Sequence, residues 1–226
     1  MSVKSQPEPD QIEVLERAKG FWEKNSRMIL YISSAVILLV GGYLSYKYLV
    51  QIPNENKAQE EIYKAEANFR KDSISLALNG NSSTPGFLKV IKKYGSTKSG
   101  NLAKLYAGES YLHLGDYKNA AKYLEDFNAQ GARQIEAKVE GLLGDAYSEM
   151  KQNDKAIEHY KKAGTIFPED SFLSSEYLFR AGLLLEISGK NQEAIDMYKQ
   201  IKEKFPRTDK GYNIDKYLAR LGETKL

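Results

Sequence analysis

From Met28 to Tyr46 the chain runs nineteen residues without a formal charge, and Lys47 to Val50 lengthen the run. That is enough to cross a hydrocarbon layer about 30 Å thick, and it predicts a transmembrane helix over residues 28–50. Phe21 and Trp22 stand before it and Tyr43, Tyr46 and Tyr48 close it, placing amphipathic rings at both water interfaces, while Lys47 snorkels outward from the last turn. A cleaved signal peptide is the competing reading. Its apolar region would be roughly 7–15 residues long and end in an A-x-A site, which is missing here. A buried core helix would carry a polar stripe, and this one offers only Ser33, Ser34 and Ser45. Ser34, Gly41 and Ser45 fall on one helical face and form the candidate contact with a second span, unless they reflect only the general abundance of Gly and Ser in spans.

Elsewhere the apolar period is that of amphipathic helices. Residues 1–9 are polar and proline-bearing and predict disorder; Asp10 then caps a short helix over Gln11–Lys24 that lies at the membrane. Pro53 is expected to end the span and leave a hinge. Ala58, Ile62, Ala65 and Phe69 predict a helix from Asn54 to Lys71. After a loop over 79–83, Thr84 as cap and Pro85 as first helical residue open another helix, with Phe87, Leu88, Ile91 and Tyr94 on one face.

From Asn101 onward the chain repeats itself. Gly108, Tyr111, Gly115, Ala120 and Leu124 are followed by Gly144, Tyr147, Ala156, Tyr160 and Pro168, then by Gly182, Leu185, Gly189, Ala194, Tyr198 and Pro206. The key alanines are 36 and 38 residues apart. This pattern resembles the tetratricopeptide repeat of about 34 residues, with short insertions in the inter-repeat turns. Small residues on both helices of each pair let the helices approach closely, while Tyr and Leu fill the remaining space. Gly211–Leu221 predicts a last helix that covers the open end of the stack. The fold class is therefore all-α: a tail (1–27), a span (28–50), a linker and first helical pair (51–100), three repeats (101–210) and a capping helix (211–226).

Composition narrows the function. Lys and Arg number 33 against 30 Asp and Glu, and the tail before Met28 is balanced, which argues against a nucleic-acid partner. There is no cysteine, so disulfide, zinc-ribbon and thiol chemistry are excluded. The two histidines, His113 and His159, make no H-E-x-x-H, and no phosphate-binding glycine loop exists, so the expectation is no catalytic, metal or cofactor site. His159, beside Glu158 and Lys161, reads as a solvated surface residue.

Asp10-Gln11-Ile12-Glu13, Phe21-Trp22-Glu23-Lys24-Asn25, a single span with Gly41-Gly42 and Tyr46, and then tetratricopeptide-like repeats together resemble the YfgM-like ancillary subunits of the bacterial Sec translocon. Thr97-Lys98-Ser99-Gly100-Asn101-Leu102-Ala103 is similar to the Bacteroidota version. The resemblance implies a cytoplasmic amino terminus, a periplasmic repeat domain in the inner membrane, and association with SecYEG, a membrane-anchored prolyl-isomerase-like chaperone and exported polypeptides. The charge bias, with Arg17, Lys19, Lys24 and Arg27 on one side against Lys47, Lys57 and Lys64 on the other, points the same way but is small.

Two function classes follow: a tethered interaction module with a binding groove, or an architectural subunit of another inner-membrane complex. The repeat register turns Leu102, Leu105, Glu109, Leu112 and His113 inward from the first unit. Lys138, Gly141, Asp145, Ser148 and Glu149 follow from the second, and Glu176, Phe179, Leu183, Glu186 and Ile187 from the third. Five carboxylates with Lys138 as the single base in that register predict a groove for an apolar segment flanked by Lys or Arg. The competing arrangement has the helix over 54–71 covering this face.

Overall fold

The computed structural model describes residues 9–223, so residues 1–8, most of the expected disordered tail, lie outside the described residues, as does the side chain of the expected cap Asp10. The chain divides into two units between Pro53 and Asn54. In the first, α1 (Pro9–Tyr46) merges the expected interfacial helix and the apolar stretch into one element. It is long and apolar enough to cross a membrane by length and composition, and none of its apolar window is buried. The Ser33 hydroxyl donates to the Ile29 carbonyl at 2.5 Å, so this polar group is satisfied within its own helix, as an apolar surrounding requires.

Pro53 does not stop the helix as expected. A π turn over Lys47–Gln51 precedes it and α2 (Ile52–Arg70) follows directly. A proline ring collides with the carbonyl four residues back, here that of Leu49. The wider turn, closed by the Ile52 N–H on the Lys47 carbonyl, accommodates the ring.

In the second unit, α2 buries Ala58, Ile62 and Ala65, the face expected from their spacing. The Glu55 carboxylate receives the Lys98 and Ser99 N–H groups at 2.6 and 3.0 Å, satisfying free donors at the start of α5 (Lys98–His113). Two short helices follow, α3 (Ile74–Asn79) and α4 (Phe87–Tyr94). The first was unforeseen, and Thr84-Pro85 does not open the second. Pro85 instead pairs with Gly80 in an antiparallel bridge and α4 starts after Gly86. A Cβ at Gly86 would lie 2.3 Å from the Gly80 nitrogen, so the crossing needs glycine. Phe87 and Val90 of α4 are fully buried, with Ile62, Leu78 and Ala107, in a cluster under α2.

Three helical hairpins then stack: α5 with α6 (Tyr117–Glu125), α7 (Arg133–Glu149) with α8 (Asn153–Ile166), and α9 (Ser171–Ile187) with α10 (Asn191–Lys204). The helix glycines are packed as their repetition implies. Cβ atoms at Gly108, Gly144 and Gly182 would lie 2.6, 2.4 and 2.4 Å from the side chains of Leu124, Tyr160 and Tyr198 on the partner helix. α11 (Asp209–Arg220) closes the stack with Ile214 and Leu218 fully buried.

Candidate partner-binding face

The first helices of the hairpins, α5, α7 and α9, and then α11 expose a common face crossed by ion pairs. Lys138 to Glu109 at 2.5 Å joins α7 to α5, and Arg180 to Asp145 at 2.6 Å joins α9 to α7. Lys210 to Glu176 at 3.0 Å and Arg220 to Glu186 at 2.7 Å join α11 to α9. The face is therefore not the nearly uniform acidic surface of the sequence reading. Arg180 follows Glu176 by one helical turn and bonds it at 2.9 Å, while Lys210 and Arg220 arrive from α11. Burial alone would raise the Glu176 carboxyl, but the hydrogen bonds from Arg180 and Lys210 hold it below the usual carboxylate range.

The structure separates the sequence-chosen residues into three groups. Glu109, Leu112, Lys138, Asp145 and Glu149 come together around a cleft of about 540 Å³, joined there by His113, Tyr117, Leu142 and Phe69 of α2. Leu105 and Phe179, expected in the groove, are instead buried in the core; the Phe179 ring lies under the edge of Tyr217 at 4.8 Å and the Lys210 ammonium at 4.4 Å. Leu183 and Glu186 sit half-buried at the far end, where Glu186 takes both the Tyr198 hydroxyl at 3.1 Å and Arg220. Gly141 is roofed by the Tyr177 ring, while Leu102 and Ile187 are exposed. α2 does reach this face, but it brings Phe69 against Tyr106 and His113 at one end of the cleft and leaves the cleft open. Ser34, Gly41 and Ser45 belong to the other unit, where all three are exposed and a Cβ at Gly41 would meet nothing within 4 Å.

His159 is not a merely solvated side chain. Its ring stacks on Tyr147 at 5.2 Å, and its Nδ1 lies 2.7 Å from the carboxylate of Glu140, which is only 7% exposed and also takes Lys162 at 2.5 Å. Glu140 and His159 edge a second cleft of about 590 Å³ beside the 126–131 connection, floored by Leu124, Val139 and Leu143. The signal was present but indirect: Glu140 occupies an otherwise apolar face of α7 and needs partners from α8. Among the described residues no group of three or more His, Cys, Asp or Glu converges to hold a metal ion.

Four repeat tyrosines hold their protons tightly. The hydrogen bond to Glu125, then burial, pushes Tyr147 up to about 12; burial, then the Asp145 charge, pushes Tyr177 up to about 12. Burial, then the hydroxyl bonds to Asp145 and Glu186, raises Tyr160 and Tyr198. A phenol with a folded pKa above its unfolded value of about 10 binds its proton more tightly when folded. Stability from these groups is thus complete below pH ~10 and lost as pH rises through the folded values. Melting temperature measured from neutral to alkaline pH should hold level and then drop above pH ~10, and a level profile up to pH ~12 would contradict the assignment.

Comparison with known proteins places the architecture. Residues 141–170 match one tetratricopeptide repeat model, and residues 102–130 and 176–208 match another, so these segments are tetratricopeptide repeats. Among solved structures, the crystal structure of MamA protein is similar with a TM-score of 0.53 at 17% identity, covering 73% of this chain and 76% of that one. YrrB, described as a TPR protein with an unusual peptide-binding site, is similar with a TM-score of 0.50 at 20% identity, covering 77% of this chain and 79% of that one. No curated protein matches the chain.

Proposed function

We propose that the chain, a set of tetratricopeptide repeats behind a helix long and apolar enough to cross a membrane, is a membrane-anchored interaction module. The repeat face takes a segment of a partner protein, and the apolar helix confines that encounter to the bilayer surface. The observation that carries this reading is the pairing of the two parts. An apolar helix with none of its window buried, as in α1, suits lipid, and a stacked helical array with an open cleft suits a polypeptide. Repeat proteins of this kind bind peptides and partner proteins generally, and the peptide-binding site described for YrrB is an instance on a similar fold. The sequence resemblance to ancillary translocon subunits extends the proposal. The partners would be SecYEG, a membrane-anchored prolyl-isomerase-like chaperone and exported polypeptides, with the amino terminus cytoplasmic and the repeats periplasmic.

Gly41 and Ser45 lie open on α1, where small residues admit a second helix closely. The double substitution Gly41→Leu with Ser45→Leu should keep membrane insertion and reduce recovery of the channel subunits from solubilised membranes several-fold, which quantitative mass spectrometry of the tagged chain would measure. Undiminished recovery would remove α1 from the contact. A phosphatase reporter fused at Gly100 should be active outside the cytoplasm, and activity only inside would overturn the orientation.

A further inference from the structure

We propose that the cleft edged by α5, α7 and Phe69 is an anchoring subsite for one arginine side chain of the partner segment, with Glu109 as its counter-ion and Lys138 as the resident cation that it displaces. This rests on the interaction-module reading and specifies what one part of the face recognises.

Equivalent positions of successive units differ in how their carboxylates are held. Glu109 and Asp145 stand 36 residues apart in successive units, on the same face of α5 and α7. Asp145 is hydrogen-bonded from two sides: the Tyr160 hydroxyl and the Arg180 guanidinium both donate to its Oδ1, each at 2.6 Å. Thirty-six residues before Tyr160 the first unit has Leu124, whose side chain fills the space over Gly108 and has no hydrogen to give. Glu109 is therefore 9% exposed without a hydroxyl partner, and no hydrogen bond reaches its buried Oε1. Lys138 Nζ does lie 2.5 Å from that oxygen, an ion contact outside hydrogen-bond geometry. The charge is compensated and the directional bond is missing.

A carboxylate buried without hydrogen bonds is under-solvated, and a compact ammonium on a flexible stem is a poor remedy. The Lys138 side chain is 48% exposed, so water screens the pair and the lysine is free to swing out. An incoming guanidinium offers several in-plane donors and forms charge-assisted bonds that the resident lysine does not make. The rest of the cleft suits such a side chain and its neighbours. Phe69, Leu112 and Leu142 supply apolar wall for the stem, and Glu149, exposed and without an ion pair among the described residues, adds a second carboxylate at the lip. Farther along, the face offers no equivalent place, because Asp145, Glu176 and Glu186 are occupied by Arg180, Lys210 and Arg220.

The test uses the full chain in detergent micelles and three short capped peptides: leucine-arginine-leucine, the same peptide with citrulline for arginine, and leucine-glutamate-leucine. Binding is read by calorimetry at low and high salt. The arginine peptide should bind at least about ten-fold tighter than the other two, and the preference should shrink at high salt. Glu109→Gln and, separately, Glu149→Gln should each weaken it, the first more; Glu149 is exposed, so its variant keeps the readout clear of folding defects. The diagnostic variant is Lys138→Ala. Removal of a resident competitor should tighten arginine-peptide binding several-fold, whereas a merely structural lysine would leave it unchanged or weaken it. No preference for arginine, or no gain in Lys138→Ala, overturns the subsite. A photo-crosslinker at Leu142 in native membranes keeps the two readings apart. Capture of a translocon subunit or chaperone together with failed peptide discrimination would sink the subsite alone, while failed discrimination without any capture would also sink the interaction module.

Discussion

Gly144→Leu should unfold the repeat array at a temperature lower by roughly 6–12 °C, corresponding to a loss on the order of 3 kcal/mol in a domain of this size. A Cβ at this position already lies 2.4 Å from the Tyr160 ring, which is 4% exposed and hydrogen-bonded through its hydroxyl to Asp145. The ring is held from both ends and has nowhere to move. Gly144 also lies in the middle hairpin, so a shift of α8 away from α7 propagates to both neighbours in a stack stabilised by nearest-neighbour contact. Alanine at the same site should cost less than leucine, because the single methyl is the smaller intrusion and alanine favours helix over glycine by about 1 kcal/mol. Thermal melts of the glycine, alanine and leucine forms check the order; equal melting temperatures would mean that the close approach at Gly144 is not what aligns the hairpin.

Tyr198→Ala should be at least as damaging, at about 3–5 kcal/mol. Tyr198 is fully buried, its ring covers Gly182 and packs against Phe179 and Tyr217 at 6.0 and 5.6 Å, and it thereby ties α9, α10 and α11 together. Truncation leaves a cavity lined by aromatic rings and a glycine, none of which can collapse into it. Tyr198→Phe keeps the ring and loses only the hydroxyl bond to Glu186, which still holds Arg220 at 2.7 Å, so it should cost about 1 kcal/mol. Denaturant unfolding of the two variants separates packing from hydrogen bonding. A phenylalanine form as unstable as the alanine form would show that the Glu186 bond, not the ring, carries the stability.

The helical content, the hairpin register and the closing helix were legible in the chain because each depends on local patterns that repeat: Gly108, Gly144 and Gly182 on first helices, and Ala120, Ala156 and Ala194 on second helices. The structure buries these alanines completely. The long apolar stretch was equally legible from length and composition. Two local readings failed for local reasons. Pro53 was absorbed by a π turn, which sequence periodicity does not report, and Thr84-Pro85 was diverted into a bridge with Gly80.

The candidate site was legible only in outline. Position in the repeat was enough to bring Glu109, Leu112, Lys138, Asp145 and Glu149 to one cleft, because residues 36 apart occupy equivalent places on stacked helices. The same register turned Leu105 and Phe179 toward the groove, whereas the fold buries them in the core, because a residue's depth depends on what the next helix lays over it. Charge was decided in the same way. The register counted one base, whereas tertiary packing delivered Arg180, Lys210 and Arg220 to the carboxylates from neighbouring elements. Sequence by itself determined the helices of the three repeats and the order in which they follow one another, since those follow from spacing along one chain. Only the tertiary structure decided which carboxylates are hydrogen-bonded by internal partners, as Asp145, Glu176 and Glu186 are, and which, like the exposed Glu149, are not, because ion pairing is a matter of distance between helices and is not written in the spacing within any one of them.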